Sequence, residues 1–184
     1  KLFMELSSAT GNGTTTTAPT FLGLSALNVD IGASGSCQVT TPTINVGLGS
    51  VNKMEFKGVN TTGGSAQSFA IPVYCSQPTD VRIGFFGLEV GPGFPDTLAL
   101  TQVSGAASGV GVKLSYGSNA APAPAAGTAV KINEATNLPL LKKVTASNAA
   151  SAERINFTAQ YVQTGNSVGA GVANSMATFT LVYN

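Results

Sequence analysis

Histidine and tryptophan are absent from this chain of 184 residues, and charged residues are scarce. Without histidine, the chain lacks the commonest general base and the commonest zinc ligand. Charged side chains make up 9% of the residues, and nine basic residues nearly balance eight acidic ones. This balance offers no electrostatic footprint for nucleic acid and no basic run for an anionic membrane. We therefore expect a protein that is neither an enzyme nor a nucleic-acid-binding protein, with no cofactor and no metal site.

Strong helix formers are few, and no apolar run is long enough for a transmembrane helix. Glycine contributes 22 residues and proline nine, and they separate many short runs rich in β-branched residues. Such runs are typical of an all-β sandwich or barrel, and their spacing predicts two sheets with about seven strands. The first residues resemble no part of a signal peptide, so we expect any such peptide to have been removed.

The chain has two cysteines, Cys37 and Cys75. Without histidine or a second cysteine pair, they supply too few ligands for zinc. The favoured interpretation is a disulfide that closes the long loop between them and stabilises the fold by about 4 kcal/mol. Such a bond indicates an oxidising compartment. The alternative is a pair of reduced, buried cysteines in a cytosolic protein.

Composition divides the chain into three parts. Residues 1–20 combine a possible strand end with a loop rich in serine, threonine, glycine and asparagine. Residues 21–36 are an apolar stretch followed by a run of linker composition. Residues 37–184 contain successive strand patterns, which we expect to form one domain.

The last strand pattern, residues 176–183, is the most informative one. Its alternation places four side chains on one face: Ala177, Phe179, Leu181 and Tyr183. A strand at the edge of a sheet exposes unpaired N–H and C=O groups, which invite pairing with another chain. Two interpretations stay open: a last strand inside a complete sheet, and an edge that another polypeptide pairs by β-strand addition.

Several short segments also follow one another in a characteristic order. They comprise a Gly-Ser-Cys entry into the first strand, a strand ending on the second cysteine, and three later runs: residues 35–37, 71–75, 85–87 with 97–100, 109–114 and 155–165. Gly171 precedes the last strand, and the aromatic Tyr183 is next to last. This ordered set resembles the pilin domain of chaperone–usher fimbrial subunits. Within that family it is most similar to the C-terminal pilin domain of a two-domain tip adhesin.

The resemblance implies an immunoglobulin-like β-sandwich that lacks its last strand and is completed by a donor strand from another chain. In the family, a periplasmic chaperone lends that strand, and a neighbouring subunit replaces it during assembly at the outer-membrane usher. Gly171, the inward side chains of residues 177–183 and Asn184 are then expected to form the donor-strand groove and the chaperone contact. The implied function is a structural subunit that joins a tip adhesin to its fibre and supports cell adhesion. The implied location is the periplasm during assembly and then the pilus outside a Gram-negative bacterium.

The N-terminal part leaves two interpretations open. In the favoured one, residues 1–20 are the tail of an upstream adhesin domain that binds a host glycan or protein, and residues 21–36 are the linker. In the other, this part contains a donor strand, as in an internal or adaptor pilin. Two sets of alternating residues are candidates for that strand: Leu2, Met4 and Leu6, or Leu27, Val29 and Ile31.

A third hypothesis belongs to a different functional class. It is a free-standing carbohydrate-binding sandwich with a complete fold. Aromatic residues clustered on the surface, such as Tyr74, Phe94 and Tyr116, would favour it.

Overall fold

The computed structural model describes residues 36–183 and the backbone of residues 5–7. The predicted segment with Leu27, Val29 and Ile31, and the terminal Asn184, lie outside the described residues. Within them the chain forms short 3₁₀ helices at Lys53–Glu55 and Ala149–Ser151 and ten strands: β1 (Glu5–Ser7), β2 (Cys37–Val39), β3 (Thr43–Asn45), β4 (Thr62–Cys75), β5 (Thr79–Gly87), β6 (Thr97–Leu98), β7 (Val110–Tyr116), β8 (Lys142–Val144), β9 (Glu153–Gln163) and β10 (Ala177–Tyr183).

The strands form two main sheets, which confirms the predicted all-β, immunoglobulin-like sandwich. One sheet has five strands in the order β2-β4-β9-β7-β6, and the other has three in the order β10-β5-β8. A separate pair joins β1 to β3. The predicted number of about seven strands is too low. One reason is that Pro42, which has no N–H to donate, lies between β2 and β3 and divides the first strand.

Aromatic side chains from both sheets meet in the core around Phe157 on β9. The ring of Phe85, on β5 of the opposite sheet, packs edge-on against Phe157 with 5.0 Å between centroids. Phe69 stacks on Phe157 at 5.6 Å, and Tyr116 is tilted against it at 5.9 Å. Contacts of this kind add about 0.5–1.5 kcal/mol each beyond the burial of the ring area. The cluster therefore joins the two sheets.

The predicted disulfide joins β2 to β4. Cys37 and Cys75 are directly paired in the antiparallel ladder, and both are buried. On the flanking residues, the Ser76 N–H donates to the Ser36 carbonyl at 2.9 Å, and the Ser36 N–H donates to Ser76 Oγ at 3.1 Å. The disulfide fixes the position of β2, and β3 follows β2 after only three residues.

We predict that Cys37→Ser lowers the free energy of unfolding by about 2–4 kcal/mol, because the unfolded chain regains the entropy of an open loop. Denaturant unfolding of the variant and of the wild type measures the change. The double variant Cys37→Ser, Cys75→Ser is the control and should respond no further to a reducing agent. An unfolding midpoint of the wild type that is unchanged by reduction would contradict the prediction.

Candidate functional site

The two edges of the three-stranded sheet differ in charge. On the β8 edge, Lys142 forms an ion pair with Glu153 at 2.8 Å and Lys143 one with Asp80 at 3.1 Å. Lysines on an edge strand discourage pairing with another chain. The seven residues of β10, at the other edge, include no charged residue. The two edges of this sheet therefore differ: β8 carries lysines that discourage pairing, whereas β10 has no such charge.

The side chains of β10 alternate as the sequence predicts. Ala177, Phe179 and Leu181 are buried in the core, whereas Tyr183 is half-buried and Val182 is 36% exposed. All seven residues pair with β5, from Ala177 opposite Gly87 to Tyr183 opposite Val81. Among the described residues, no strand is hydrogen-bonded to the opposite side of β10. Within the described residues, β10 is therefore an edge strand with buried side chains and one side of its backbone outside any ladder.

A second edge without a ladder follows β3. Val46 and Leu48 are buried at 4% exposure each, and they alternate with the exposed Gly47 and Gly49. This alternation is that of a strand with one face on the core. Within residues 36–183, however, no backbone hydrogen bond joins residues 46–51 to another strand. These residues thus have the alternating burial of a strand, but they form no backbone hydrogen bonds with another strand among the described residues.

Strand β1 lies beside both of these edges. It pairs antiparallel with β3 in the register Glu5 to Asn45, Leu6 to Ile44 and Ser7 to Thr43. It also contacts β10. A short strand of the same chain therefore lies between β3 and β10, and we call this region, bounded by residues 43–51 and 177–183, the open edge.

A cavity of about 400 Å³ lies at one end of the open edge. Its lining includes residues 49–53 after β3, residues 168–171 and 173 before β10, and Tyr161. The Tyr161 hydroxyl donates to the Ala173 carbonyl at 2.9 Å, and burial raises the pKa of Tyr161 to about 12. Tyr161 therefore stays neutral and holds the segment that leads into β10.

Gly171, predicted from the sequence to belong to the groove, lines this cavity. A Cβ atom at this position would overlap the Gly105 carbonyl oxygen and lie 2.5 Å from the Ala106 carbonyl carbon. The neighbouring backbone pairs here, because the Val172 N–H donates to the Gly105 carbonyl at 2.8 Å. A glycine at this point lets the two segments approach closely.

The opposite wall of the cavity is held by contacts that the sequence did not reveal. Glu55 accepts hydrogen bonds from the N–H groups of Asn52 at 3.2 Å and Gly64 at 3.1 Å. The ring of Phe56 lies where a Cβ atom on Gly63 would be, at 2.6 Å. Because Gly63 and Gly64 begin the register shift in β4, no periodicity in the sequence indicates this wall. Only an Asn-to-Glu spacing typical of a capping box could have pointed to it.

A second depression, of about 600 Å³, has a polar lining that includes Glu89, Lys131 and Glu134. Glu134 Oε1 accepts hydrogen bonds from the N–H groups of Asn137 and Thr136 and from the Thr136 hydroxyl, each at 3.0 Å. These bonds, with the nearby Lys131, lower the pKa of Glu134 to about 2. The carboxylate is thus engaged in closing a turn.

Other kinds of site find little support. Tyr116 is buried against Phe157, so the aromatic cluster expected of a carbohydrate-binding surface is not formed as predicted. In the part of the chain that the structure describes, no three histidine, cysteine or acidic residues lie close enough to hold a metal ion. No helix among those residues is long and apolar enough to cross a membrane.

Comparisons with known proteins identify the family and agree with the fold. A family model described as Fimbrial protein matches residues 26–184. An antigen and type I fimbria protein of Burkholderia pseudomallei has a similar structure, with a TM-score of 0.51 and 22% identity over 99% of this chain and 96% of that protein. The CupB6 tip adhesin of Pseudomonas aeruginosa matches with a TM-score of 0.51 and 22% identity over 73% of this chain and 35% of the adhesin. These two likenesses show the fold alone, and no curated protein matches the chain.

We predict that Gly171→Ala lowers the free energy of unfolding by about 1–3 kcal/mol, because the new methyl group forces the Gly105 segment to move. Gly47→Ala is the matched control, since a Cβ atom there meets nothing within 4 Å. Its stability should equal or slightly exceed that of the wild type. Equal effects of the two substitutions in thermal unfolding would count against a close approach at Gly171.

We also predict an acid-dependent loss of stability that depends on Glu134. Its folded pKa of about 2 lies below the ordinary value of 4.5, so its stabilisation is complete above pH 4.5 and declines as the pH falls toward 2. The melting temperature of Glu134→Gln should therefore fall less steeply than that of the wild type in this window. Glu89→Gln, in the same depression, is the control and should retain the wild-type slope. Parallel curves for all three proteins would refute the assignment.

Proposed function

The chain belongs to the fimbrial protein family, and from this premise we propose that its open edge receives a strand donated by another polypeptide. Members of this family are structural subunits of pili, which lie on the outside of the cell, and they are not enzymes. The single observation that carries the proposal is the edge of β10, which has no charged residue and, among the described residues, no hydrogen-bonded strand on its outer side.

Hydrogen bonding supports the proposal. Backbone N–H and C=O groups are obligatory hydrogen-bonding groups, and unpaired ones are costly once water is excluded. A strand placed along the open edge pairs with the free side of β10 and with residues 46–51. Both sets of backbone hydrogen bonds require an extended segment in the added strand, and neither requires a particular side chain.

Side-chain burial supplies the second part of the argument. Val46 and Leu48 on one side, and Phe179 and Leu181 on the other, already direct apolar side chains into the core. A donor with apolar residues at alternate positions extends that core, and each such side chain contributes about 1.5–3 kcal/mol when buried. A donor of several alternating residues then dissociates slowly.

We further propose the assembly partners and the position in the fibre. A periplasmic chaperone supplies the first strand, and the N-terminal extension of a neighbouring subunit replaces it at the outer-membrane usher. The chain then serves as the pilin domain, residues 37–184, that joins a tip adhesin to its fibre. An upstream domain ending at residues 1–20 and a linker at 21–36 complete this arrangement, and the host receptor is bound through that domain.

A second candidate function has one specific observation in its favour. Glu5–Ser7 of this chain pairs with β3. The N-terminal part is therefore able to act as a strand, which suits an internal or adaptor subunit that donates this part to the next subunit. In that case an upstream adhesin domain is not required.

The proposal is tested with a peptide of residues 24–34 of this chain, in which Leu27, Val29 and Ile31 alternate with polar residues. We predict that the labelled peptide binds the full chain and raises its melting temperature, because it adds ladder hydrogen bonds and buried apolar area. A peptide of the same composition in shuffled order is the control and should do neither. Fluorescence polarisation and thermal unfolding measure the two effects.

Disulfide trapping then locates the bound peptide. Val182→Cys places a thiol on the β10 strand, and Lys143→Cys places one on the charged β8 strand as the matched control. A peptide carrying its own cysteine should cross-link to the first variant and not to the second. Equal trapping at both positions, or no binding of the alternating peptide, would contradict the proposal.

A further inference from the structure

Strand β1 runs in the opposite direction to a strand that would complete the sandwich by antiparallel pairing with β10. Residues 49–53, which follow β3, and residues 168–171, which precede β10, line the same cavity. Strand β3 therefore runs toward the cavity, and β10 runs away from it. Because β1 is antiparallel to β3, it runs parallel to β10.

We propose that Glu5–Ser7 is an intramolecular latch that occupies the β3 side of the open edge and must leave before a foreign strand can bind along its full length. This proposal rests on the proposed function of the open edge. The latch and a foreign strand exclude one another, because each uses the same side of the β3 backbone.

The latch covers only part of the region. Its ladder has three residue pairs, which end at Asn45, whereas residues 46–51 and the cavity lie beyond it. Although β1 contacts β10, it forms no ladder with that strand among the described residues. A longer strand, antiparallel to β10, is able to pair along all seven of its residues. Antiparallel pairing is also slightly more stable per residue than parallel pairing.

So short a strand can nevertheless hold the edge because it belongs to the same chain. Residues 8–36 join β1 to β2 covalently, so β1 binds within the same molecule, at an effective concentration that does not depend on the protein concentration. A foreign strand at low concentration competes poorly against it, whereas one presented at the edge by a partner displaces it. The latch thus limits uptake of stray strands before assembly.

The experiment compares three forms of the full chain with the labelled peptide of residues 24–34. Leu6→Pro removes an N–H group from the centre of β1, and Ala9→Pro, outside β1, is the matched control. The double variant Leu6→Cys, Ile44→Cys joins directly paired positions, so its oxidised form locks the latch. We expect Leu6→Pro to bind the peptide about tenfold faster than the wild type, Ala9→Pro to match the wild type, and the locked form to lose binding.

Each other outcome overturns the latch in a distinguishable way. Equal rates for wild type, Leu6→Pro and the locked form overturn the latch and leave the open edge as a strand acceptor. Binding to none of the forms overturns the proposed function as well. A difference that disappears on dilution of the protein shows that β1 pairs with a second copy rather than with its own chain. A chain lacking residues 1–7 replaces Leu6→Pro if that variant does not fold, and the same rate increase is expected.

Discussion

The backbone N–H and C=O groups between β3 and β10 need hydrogen-bond partners, and the rest of the structure depends on this requirement. A sandwich buries the side chains of its edge strands, but an edge strand keeps one side of its backbone without a ladder. In this fimbrial protein, β10 and residues 46–51 bring two such sides together around one region. A short strand of the same chain enters that region at one end. The rest of the fold holds the two sides in place.

Four features of the fold bear on the open edge. The disulfide fixes β2 on β4, and thereby sets where β3 begins. Phe157 and Phe85 pack against each other across the two sheets. Because β10 pairs with β5, which carries Phe85, this contact also sets the distance between β10 and the five-stranded sheet. The capping box around Glu55 fixes the cavity wall beyond residue 51. The lysines on β8 direct pairing away from the opposite edge of the same sheet.

The sequence predicted those parts of the fold in which buried and exposed side chains alternate along a strand. Alternation along β9 and β10 indicated the faces that bury Phe157 and Phe179, and the cysteine count indicated the disulfide. The cavity wall could not be predicted, because it depends on a register shift in β4 and on close approaches at Gly63 and Gly64. Tyr116, named as a possible surface aromatic of a carbohydrate-binding sandwich, is buried, because it shares the inner face of β7 with Val112 and Leu114. Residues Leu27, Val29, Ile31 and Asn184 remain predictions.

Hydrogen exchange of the β10 amides in the isolated chain and in the assembled fibre tests the central claim most directly. The amides that face β5 take part in a continuous ladder and should be protected in both states. Those that face the open edge should exchange quickly in the isolated chain and become protected in the fibre, together with the amides of residues 46–51. Protection of both sets in the isolated chain, or rapid exchange of the outer set within the fibre, would contradict a sandwich completed by another polypeptide.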